Sequence, residues 1–270
     1  MAFKLDPKLK QVIADAAATG AYLWSKGWAE KNAGNLSADV TEWVRVKPGR
    51  LKASAFRAHP HLPPGLLGRA FLVTGTGTRF RDIERDPKGC LCILRVLEDP
   101  PGFHLLWGGE REGFKPTSEL PSHLQMHACL RRTGSRDRVV LHTHPNELIA
   151  LTHLPETGGE EALNYALWGM IPEAKIYVPR GIGWVPYRLT ASESLAEETV
   201  KALERRHKVV MWEKHGALAV GEGPLEAFDL IDAMNKAATL YLLCKNTGVP
   251  PRGLTREQIH EIGLAFPPKD

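Results

Sequence analysis

Two histidines one residue apart, His142 and His144, close an apolar, β-branched run in the segment VVLHTHPNE, residues 139–147. Alternate side chains of a strand share one face, so both imidazoles would project into the same space. A zinc ion takes three or four nitrogen, oxygen or sulfur ligands, and such a pair would supply two of them. The pair also fits a second interpretation, polar surface where a strand ends, and its spacing alone does not decide between the two.

A third ligand must come from another part of the chain, and two candidates differ in kind. His215 opens the segment HGALAVG between two predicted strands, where a side chain at a turn can point into a cleft. His123 and His127 form an i, i+4 pair on a predicted helix, which is another good spacing for metal ligands. That pair lacks the acid between its members that zinc proteases use, so we favour His215.

Glu119 is the candidate acid for proton transfer. It lies in PTSELPSH, residues 116–123, after Thr117 and Ser118 and before Pro121. This arrangement is typical of a helix N-terminus, where backbone amides and hydroxyls bind anions. The bland alternative is a helix N-terminal acid favoured only by the macrodipole.

Two glycine-containing turns are candidates for binding phosphate. The segment NAGN holds Asn32 and Asn35, and the segment TGTGT holds Thr74 and Thr76. Exposed amides and hydroxyls in such turns can bind a phosphate without a lysine. Neither segment is a Walker loop or a complete dinucleotide-binding turn, and each taken alone also fits an ordinary turn.

The chain that must position these groups has 270 residues, of which 43% are hydrophobic, enough for one large or two modest domains. Its four cysteines are too scattered for a disulfide framework, which favours a reducing cytosol. No run approaches the roughly 18 apolar residues of a membrane span, so we expect a soluble, cytoplasmic protein. The basic, Pro- and Gly-rich excursion over residues 47–68 is either a solvated loop or a surface that steers an anionic ligand.

Hydrophobic patterning predicts alternating helices and strands. A helix is expected over about residues 8–25, another after Pro121, one with a capping box from Thr190 to Glu193, and one from Pro224 to Gly248. Strands are expected over AFLVTG, GCLCILRVL, FHLLWG, RVVLHTH, AKIYVP, KVVMW and ALAVG. The pattern predicts an α/β protein with a single domain over residues 1–270.

Five segments in order, GNLS, VTGTG, PTSELPSH, HTHPNELIALTH and KHGALAVG, resemble the zinc-dependent class II aldolases of the aldolase, epimerase and adducin-head superfamily. The resemblance covers nearly the whole chain. It implies a central, mainly antiparallel β-sheet flanked by helices. KGWAEKNAGNLS and SELPSH resemble the branch that acts on L-rhamnulose 1-phosphate more than the fuculose phosphate or ribulose phosphate branches.

The resemblance assigns roles to individual residues. It implies that His142, His144 and His215 hold one Zn²⁺ per subunit and that Glu119 moves protons at the carbon next to the ketone. Glu173, in MIPEAKIYV, would reach the site from a neighbouring subunit and handle the aldehyde oxygen. The implied phosphate and substrate contacts are Asn32, Gly34, Asn35, Thr74, Gly75, Thr76, Gly77, Thr117 and Ser118.

The implied activity is a reversible retro-aldol cleavage of L-rhamnulose 1-phosphate to dihydroxyacetone phosphate and L-lactaldehyde through a zinc-stabilised enediolate, in L-rhamnose catabolism. The implied assembly is a fourfold homotetramer with its sites at subunit interfaces. Alternatives are an aldolase or epimerase for another sugar phosphate and a non-catalytic scaffold comparable to the adducin head. A nucleic-acid binder has only the basic segment 43–81 in its favour and lacks interleaved aromatic residues, so neither nucleic acid nor membrane is an expected partner.

Overall fold

A computed structural model describes residues 3–45, 56–59, 62–98 and 101–268 of the chain. Positions 47–55, 60 and 61 of the predicted excursion over residues 47–68 lie outside the described residues. The helices are α1 Pro7–Ser25, α2 Pro87–Cys90, α3 Leu120–Arg132, α4 Asn146–Leu151, α5 Glu160–Met170, α6 Pro172–Tyr177, α7 Glu193–Glu204, α8 Pro224–Lys245 and α9 Arg256–Ala265. The strands are β1 Asn35–Asp39, β2 Phe56–Ala58, β3 Ala70–Thr74, β4 Leu91–Glu98, β5 Pro101–Gly108, β6 Val139–Thr143, β7 Ile182–Val185, β8 Val209–Trp212 and β9 Gly216–Gly221.

The strands form one mixed sheet in the order β2-β5-β4-β3-β1-β6-β9-β8-β7. The β1–β3, β2–β5, β3–β4, β4–β5 and β8–β9 pairs are antiparallel, and the β7–β8 pair is parallel. The predicted α/β architecture, a mainly antiparallel sheet with flanking helices, is therefore confirmed.

Contacts divide the chain into two compact units, residues 1–141 with 221–225 and residues 142–220 with 226–270. The prediction of one domain over residues 1–270 stays a prediction. In the first unit, a core of β3, β4, β5 and α3 side chains centres on Phe71, Leu94 and Leu124. Ser37 of β1 pairs with Val73 of β3, which brings the start of β1 beside the end of β3.

The second unit contains α4 to α7, α9, most of α8, and the paired strands β7, β8 and β9. The side chains of β8 and β9 are buried throughout, as their continuous apolar runs predict. Among the described residues, no helix combines the length and apolarity needed to cross a membrane.

Several local predictions are wrong, and each error has a physical cause. AKIYVP is not a strand: Pro172 presets the first turn of α6, and the helix runs to Tyr177 before the expected strand can form. The N-cap of α7 is Ser192, whose side chain accepts from the Leu195 amide, rather than Thr190. Strands β1, β2 and β7 were not predicted at all, and β2, which pairs with β5, lies inside the excursion over residues 47–68 that was expected to have no regular structure. In β1 the reason is that polar side chains, Asn35 and Ser37 among them, are buried and hydrogen-bonded, so the sequence does not read as apolar.

Candidate metal centre and anion-binding loops

The His-x-His pair lies at the end of β6, as predicted. His142 is buried within the strand, and His144 follows its last residue and is half-buried. Pro145 comes next as the N-cap of α4, and its carbonyl accepts from the Ile149 amide. The rigid strand on one side and the helix start on the other hold the backbone of both histidines.

His215 lies in the tight turn between β8 and β9. Trp212 pairs with Gly216 across the turn, and the His215 amide donates to the Trp212 carbonyl at 3.0 Å. Lys214 adopts a left-handed φ of 59°, which lets three residues close the hairpin. The Lys214 amide donates to Thr152 Oγ1 at 3.0 Å, so the turn is fastened to the residue after α4.

The three imidazoles converge. One ligand nitrogen from each of His142, His144 and His215 lies within 4.8 Å of the others, and the ring centroids are 5.0 to 5.4 Å apart. A tetrahedral zinc ion with Zn–N bonds of about 2.0–2.1 Å separates its ligand nitrogens by roughly 3.4 Å, so a small closure completes such a site. Three nitrogen donors around one space are a ligand set that fits a borderline divalent cation.

The hydrogen bonding of His142 determines which of its ring nitrogens can bind a metal ion. His142 Nδ1 lies 3.0 Å from the carbonyl oxygen of Ala217, and since a carbonyl only accepts, Nδ1 carries the proton. The Nε2 lone pair is then directed elsewhere, which is the usual arrangement for a metal-binding histidine. The Trp212 ring packs against two of the imidazoles, with its centroid 4.4 Å from that of His142 and 5.1 Å from that of His215. Its indole N–H donates to Thr199 Oγ1 at 2.9 Å.

Gly216 is the glycine that this packing requires. A Cβ there would lie 2.6 Å from the Thr143 carbonyl oxygen and 2.9 Å from both His142 Cε1 and His144 Cδ2. Those distances are too short for any side chain, so only glycine lets the β9 backbone approach the two rings. Gly216 and Trp212 were missed as site residues; the sequence signals were the His-Gly dipeptide and the aromatic residue closing the run KVVMW.

The rival pair on α3 has a different environment. His123 and His127 are buried, and both hydrogen-bond to Ser37 Oγ, at 2.7 and 2.8 Å. Burial lowers the pKa of His123 to about 3 and that of His127 to about 4, so both are neutral. Within the described parts of the chain, His142, His144 and His215 form the one group of three potential ligands.

Glu119 lies where the sequence predicts, at a helix N-terminus in the first unit. It is the N-cap residue of α3 and is half-buried, and its amide donates to Thr117 Oγ1 at 3.3 Å. Thr117 is buried, and Ser118 is exposed. The Thr117 hydroxyl accepts from Glu119 with an oxygen lone pair, so this bond does not use its proton.

Three polar segments of the first unit come together at the end of β3. The Leu36 amide donates to Thr74 Oγ1 at 3.1 Å, which joins the NAGN turn to β3. The Thr117 amide donates to the Thr74 carbonyl at 2.8 Å, and Thr76 Oγ1 donates to the Pro116 carbonyl at 2.7 Å. The structure thus brings the predicted NAGN, TGTG and PTS segments together.

The glycines of these segments permit the turns. Gly34 and Gly77 have φ values of 77° and 71°, in the left-handed region that favours glycine. Gly75 is buried against Phe114, where a Cβ would lie 2.4 Å from a ring carbon. Asn35 is buried at the start of β1, whereas Asn32 and Thr76 are exposed.

Glu173 is in the second unit, in the first turn of α6, and its side chain is exposed. Its position is therefore consistent with a surface carboxylate and with a group that acts outside its own subunit.

With the fold and the clusters described, comparison with known proteins identifies the class. A model of the family described as Class II Aldolase and Adducin N-terminal domain matches residues 14–242. The chain belongs to this family.

Named relatives narrow the class further. The chain is 41% identical over 261 residues to a rhamnulose-1-phosphate aldolase of Bacteroides thetaiotaomicron, covering 96% of each chain. A rhamnulose-1-phosphate aldolase of Listeria monocytogenes is 33% identical, with 94% of this chain and 92% of the relative covered. The sugar-phosphate aldolase structure from Thermotoga maritima has a TM-score of 0.77 at 30% identity, covering 91% of this chain and 100% of that one.

A more distant structure supports the fold alone. An L-fuculose 1-phosphate aldolase has a TM-score of 0.62 at 18% identity, covering 95% and 96% of the two chains. The family match and the rhamnulose-1-phosphate aldolase relatives make the protein an aldolase, a lyase of a generally metal-dependent family whose substrates are phosphorylated sugars and aldehydes.

Proposed function

We propose that the protein cleaves L-rhamnulose 1-phosphate reversibly to dihydroxyacetone phosphate and L-lactaldehyde, in the breakdown of L-rhamnose. The observation that carries this proposal is the cluster of three imidazoles in a chain 41% identical to a rhamnulose-1-phosphate aldolase over 96% of its length. Cytoplasmic location and one catalytic domain over residues 1–270 are parts of the same proposal. The cysteines Cys90, Cys92, Cys129 and Cys244 are free thiols, which agrees with a reducing compartment.

His142, His144 and His215 are the proposed ligands of one zinc ion per subunit. A bound divalent ion supplies Lewis-acid stabilisation for the negative charge that develops beside the ketone when the carbon–carbon bond breaks. Neutral imidazoles suit this task because they leave the full charge of the cation in place. The Ala217 carbonyl orients the His142 ring for it by binding Nδ1 at 3.0 Å.

Glu119 is the proposed acid and base at the carbon next to the ketone. Its carboxylate takes the proton in one direction of the reaction and returns it in the other, a role worth about 10²–10⁴-fold in rate. The N-cap position on α3 fixes its backbone, and the half-buried side chain is shielded from competing solvent while it remains accessible to a ligand.

The three converging segments are the proposed phosphate site. The donors best placed are the amides of Gly34 and Gly77 and the side chains of Asn32, Asn35, Thr117 and Ser118, since the amides of Gly75 and Thr76 already donate to the Cys90 and Lys115 carbonyls at 2.8 Å. Two further candidates, Thr74 and Thr76, already donate their hydroxyl protons to the Leu36 and Pro116 carbonyls. We therefore assign Thr74 the role of tying the segments together, and Thr76 a contact only after its hydroxyl rotates.

The proposed assembly is a homotetramer in which the partner subunit's Glu173 reaches the site and protonates the aldehyde oxygen. An exposed carboxylate is what such a contribution needs. Mixing Glu119→Gln subunits with Glu173→Ala subunits tests it. In randomly mixed tetramers with one neighbour contributing to each site, about a quarter of the sites would combine two intact acids.

Activity recovered on mixing supports a site shared between subunits. Glu119→Gln mixed with Glu119→Ala is the matched control, since no combination restores Glu119. If the first mixture stays as inactive as the control, although exchange of subunits is verified by native mass spectrometry, Glu173 does not act across an interface.

The main experiment measures release of dihydroxyacetone phosphate from L-rhamnulose 1-phosphate before chelation, after it, and after zinc is added back. Release that disappears and returns with zinc is expected. Parallel assays with L-fuculose 1-phosphate and L-ribulose phosphates separate the sister activities. No release from any of these in the zinc-loaded protein contradicts the proposed activity.

A further inference from the structure

A buried chain of hydrogen bonds in the first unit ends at Asn35. His127 Nε2 lies 2.8 Å from Ser37 Oγ, Ser37 Oγ lies 2.7 Å from His123 Nδ1, and His123 Nε2 lies 2.5 Å from Asn35 Oδ1. All four side chains are at most 7% exposed. Neither the proposed metal site nor the proposed acid–base step uses the two histidines.

The direction of every link follows from the Asn35 atom that faces His123, which in this structure is Oδ1. An amide oxygen only accepts, so His123 Nε2 donates. A neutral imidazole has a single N–H, so His123 Nδ1 accepts, and its donor is the Ser37 hydroxyl. The Ser37 proton is then used, so Ser37 Oγ accepts from His127 Nε2. Burial, which lowers the pKa of His123 to about 3, keeps the ring neutral and this polarity fixed.

The consequence falls on the Asn35 amide. The oxygen and nitrogen ends of an asparagine side chain have nearly the same shape, so packing alone does not choose between its two orientations. The Nε2–H tautomer of His123 does choose, because its N–H binds the oxygen end and turns the two N–H donors of Asn35 to the opposite side. A phosphate needs donors, and an asparagine in the reversed orientation would present it with an oxygen.

We propose that His127, Ser37 and His123 form a positioning relay that holds the Asn35 N–H donors toward the substrate phosphate. The inference rests on the proposed function, in which Asn35 is a phosphate contact. The relay also joins two of the three segments of the proposed phosphate site. Asn35 and Ser37 belong to β1, and His123 and His127 belong to α3, which begins two residues after Ser118. His123, His127 and Ser37 are positioning residues and need not touch the substrate.

Substitutions at His123 separate positioning from simple packing. Gln has an N–H donor and a carbonyl acceptor and can keep the polarity of the relay, whereas Leu fills space and provides neither. We expect His123→Leu to weaken binding of inorganic phosphate by about tenfold or more, the effect of losing an oriented hydrogen bond to a charged group. His123→Gln should stay within about threefold of wild type. The same order should appear in KM, with kcat little changed.

His207→Leu is the matched control for deleting a buried, hydrogen-bonded histidine. His207 is buried in the second unit, and its Nδ1 lies 3.0 Å from the Gly181 carbonyl. This variant should lose thermal stability and keep phosphate affinity. If His123→Leu and His207→Leu both keep wild-type phosphate affinity, the relay is only a structural clamp and the inference is wrong.

A measurement on the unaltered protein covers the case in which His123→Leu does not fold. Long-range ¹H–¹⁵N spectra of histidine-labelled protein report the tautomer of each ring, and the relay requires the Nε2–H tautomer for both His123 and His127. An Nδ1–H tautomer at His123 would overturn the proposal. Failure of the proposed function is distinct: the wild-type protein would then not bind inorganic phosphate, whichever tautomers are present.

Discussion

In one unit of the molecule His142, His144 and His215 turn ligand nitrogens toward one another within 4.8 Å, whereas in the other His123 and His127 turn theirs toward Ser37. Both arrangements begin from a good ligand spacing, i, i+2 on a strand or i, i+4 on a helix. The difference lies in the hydrogen-bond partners of the donor and acceptor nitrogens of the rings.

A neutral imidazole has one donor and one acceptor nitrogen, and only the acceptor can bind a metal. At His142 the Ala217 carbonyl takes the donor, so Nε2 is the acceptor nitrogen, the one able to bind a cation. At His123 protein atoms take both, because Asn35 Oδ1 binds the donor and Ser37 binds the acceptor. Spacing therefore identifies histidines as candidate metal ligands, and their hydrogen-bond partners distinguish ligands from positioning residues.

The largest expected effect comes from substituting one histidine of each group and comparing the metal content of the two variants. Loss of an outer-shell partner typically costs about 10–100-fold in metal affinity, so removing a ligand, as in His144→Ala, should cost more than about 100-fold and abolish turnover. His123→Gln should retain its metal. Metal content after dialysis, measured by plasma mass spectrometry, decides the matter. Full metal in His144→Ala with normal turnover would remove that histidine from the ligand set.

Gly216→Ala should disturb the geometry of the metal centre without removing a ligand. The added methyl group meets the Thr143 carbonyl oxygen at 2.6 Å and both His142 and His144, so the rings must move. We expect metal affinity to fall by about 10–100-fold, as for loss of an outer-shell partner.

Gly223→Ala is the control for this substitution, because a Cβ at Gly223 meets no atom within 4 Å. Competition with a chromophoric chelator measures both affinities. Equal zinc affinity in the two variants would show that close approach of the β9 backbone does not hold the rings.

The buried relay predicts a pH dependence of stability. A histidine in the unfolded chain binds a proton near pH 6.5, whereas burial lowers the pKa of His123 to about 3. Between these values the unfolded state binds more protons, so stability is full above pH 6.5 and falls as the pH is lowered. At about pH 5 the loss is about 2 kcal/mol for each such histidine.

His123→Gln removes one of these groups and isolates its contribution. Between about pH 7.5 and about pH 5 the metal-free wild type should lose about 2 kcal/mol more free energy of unfolding than the variant. Titration of the metal-centre histidines is common to both proteins and cancels. Parallel pH dependences in urea unfolding would mean that His123 is not held neutral by the fold.

Particular elements show how far the sequence predicts this structure. Strands β3, β6 and β9 were predicted because apolar runs end at glycine or histidine, and β8 because KVVMW is a short apolar run. Strand β1 was missed because its inward side chains are polar, and a buried polar residue is recognised only once its partner on another element is known. AKIYVP was misassigned because three β-branched or aromatic residues outweighed the proline that starts α6.

The candidate site shows the same limit. His142, His144 and His215 were nominated from spacing and neighbouring glycines, and the structure places their nitrogens together. The roles of Ala217 and Trp212 could not be predicted, because one acts through a backbone carbonyl and the other through the face of a ring. Both depend on the placement of β9 and β8 beside β6, which no local pattern specifies.

The smallest expected effect concerns the packing beneath the metal-centre rings. Thr199 Oγ1 accepts from the Trp212 indole at 2.9 Å and donates to the Leu195 carbonyl at 2.7 Å. Thr199→Val keeps the shape but deprives a buried N–H of its acceptor, which should cost about 1 kcal/mol of stability. Because the ring stays packed against His142 and His215, metal affinity should change by no more than about threefold.

Thr239→Val supplies the matched control, since Thr239 makes the same kind of bond, 2.9 Å to the Asn235 carbonyl one helical turn earlier, without an indole partner. Thermal unfolding and the visible spectrum of Co²⁺-loaded protein are the two measurements. The spectrum of Thr199→Val should match that of Thr239→Val, and its unfolding midpoint should lie lower. A changed spectrum only in Thr199→Val would mean that the indole hydrogen bond, and not packing alone, sets the geometry of the metal centre.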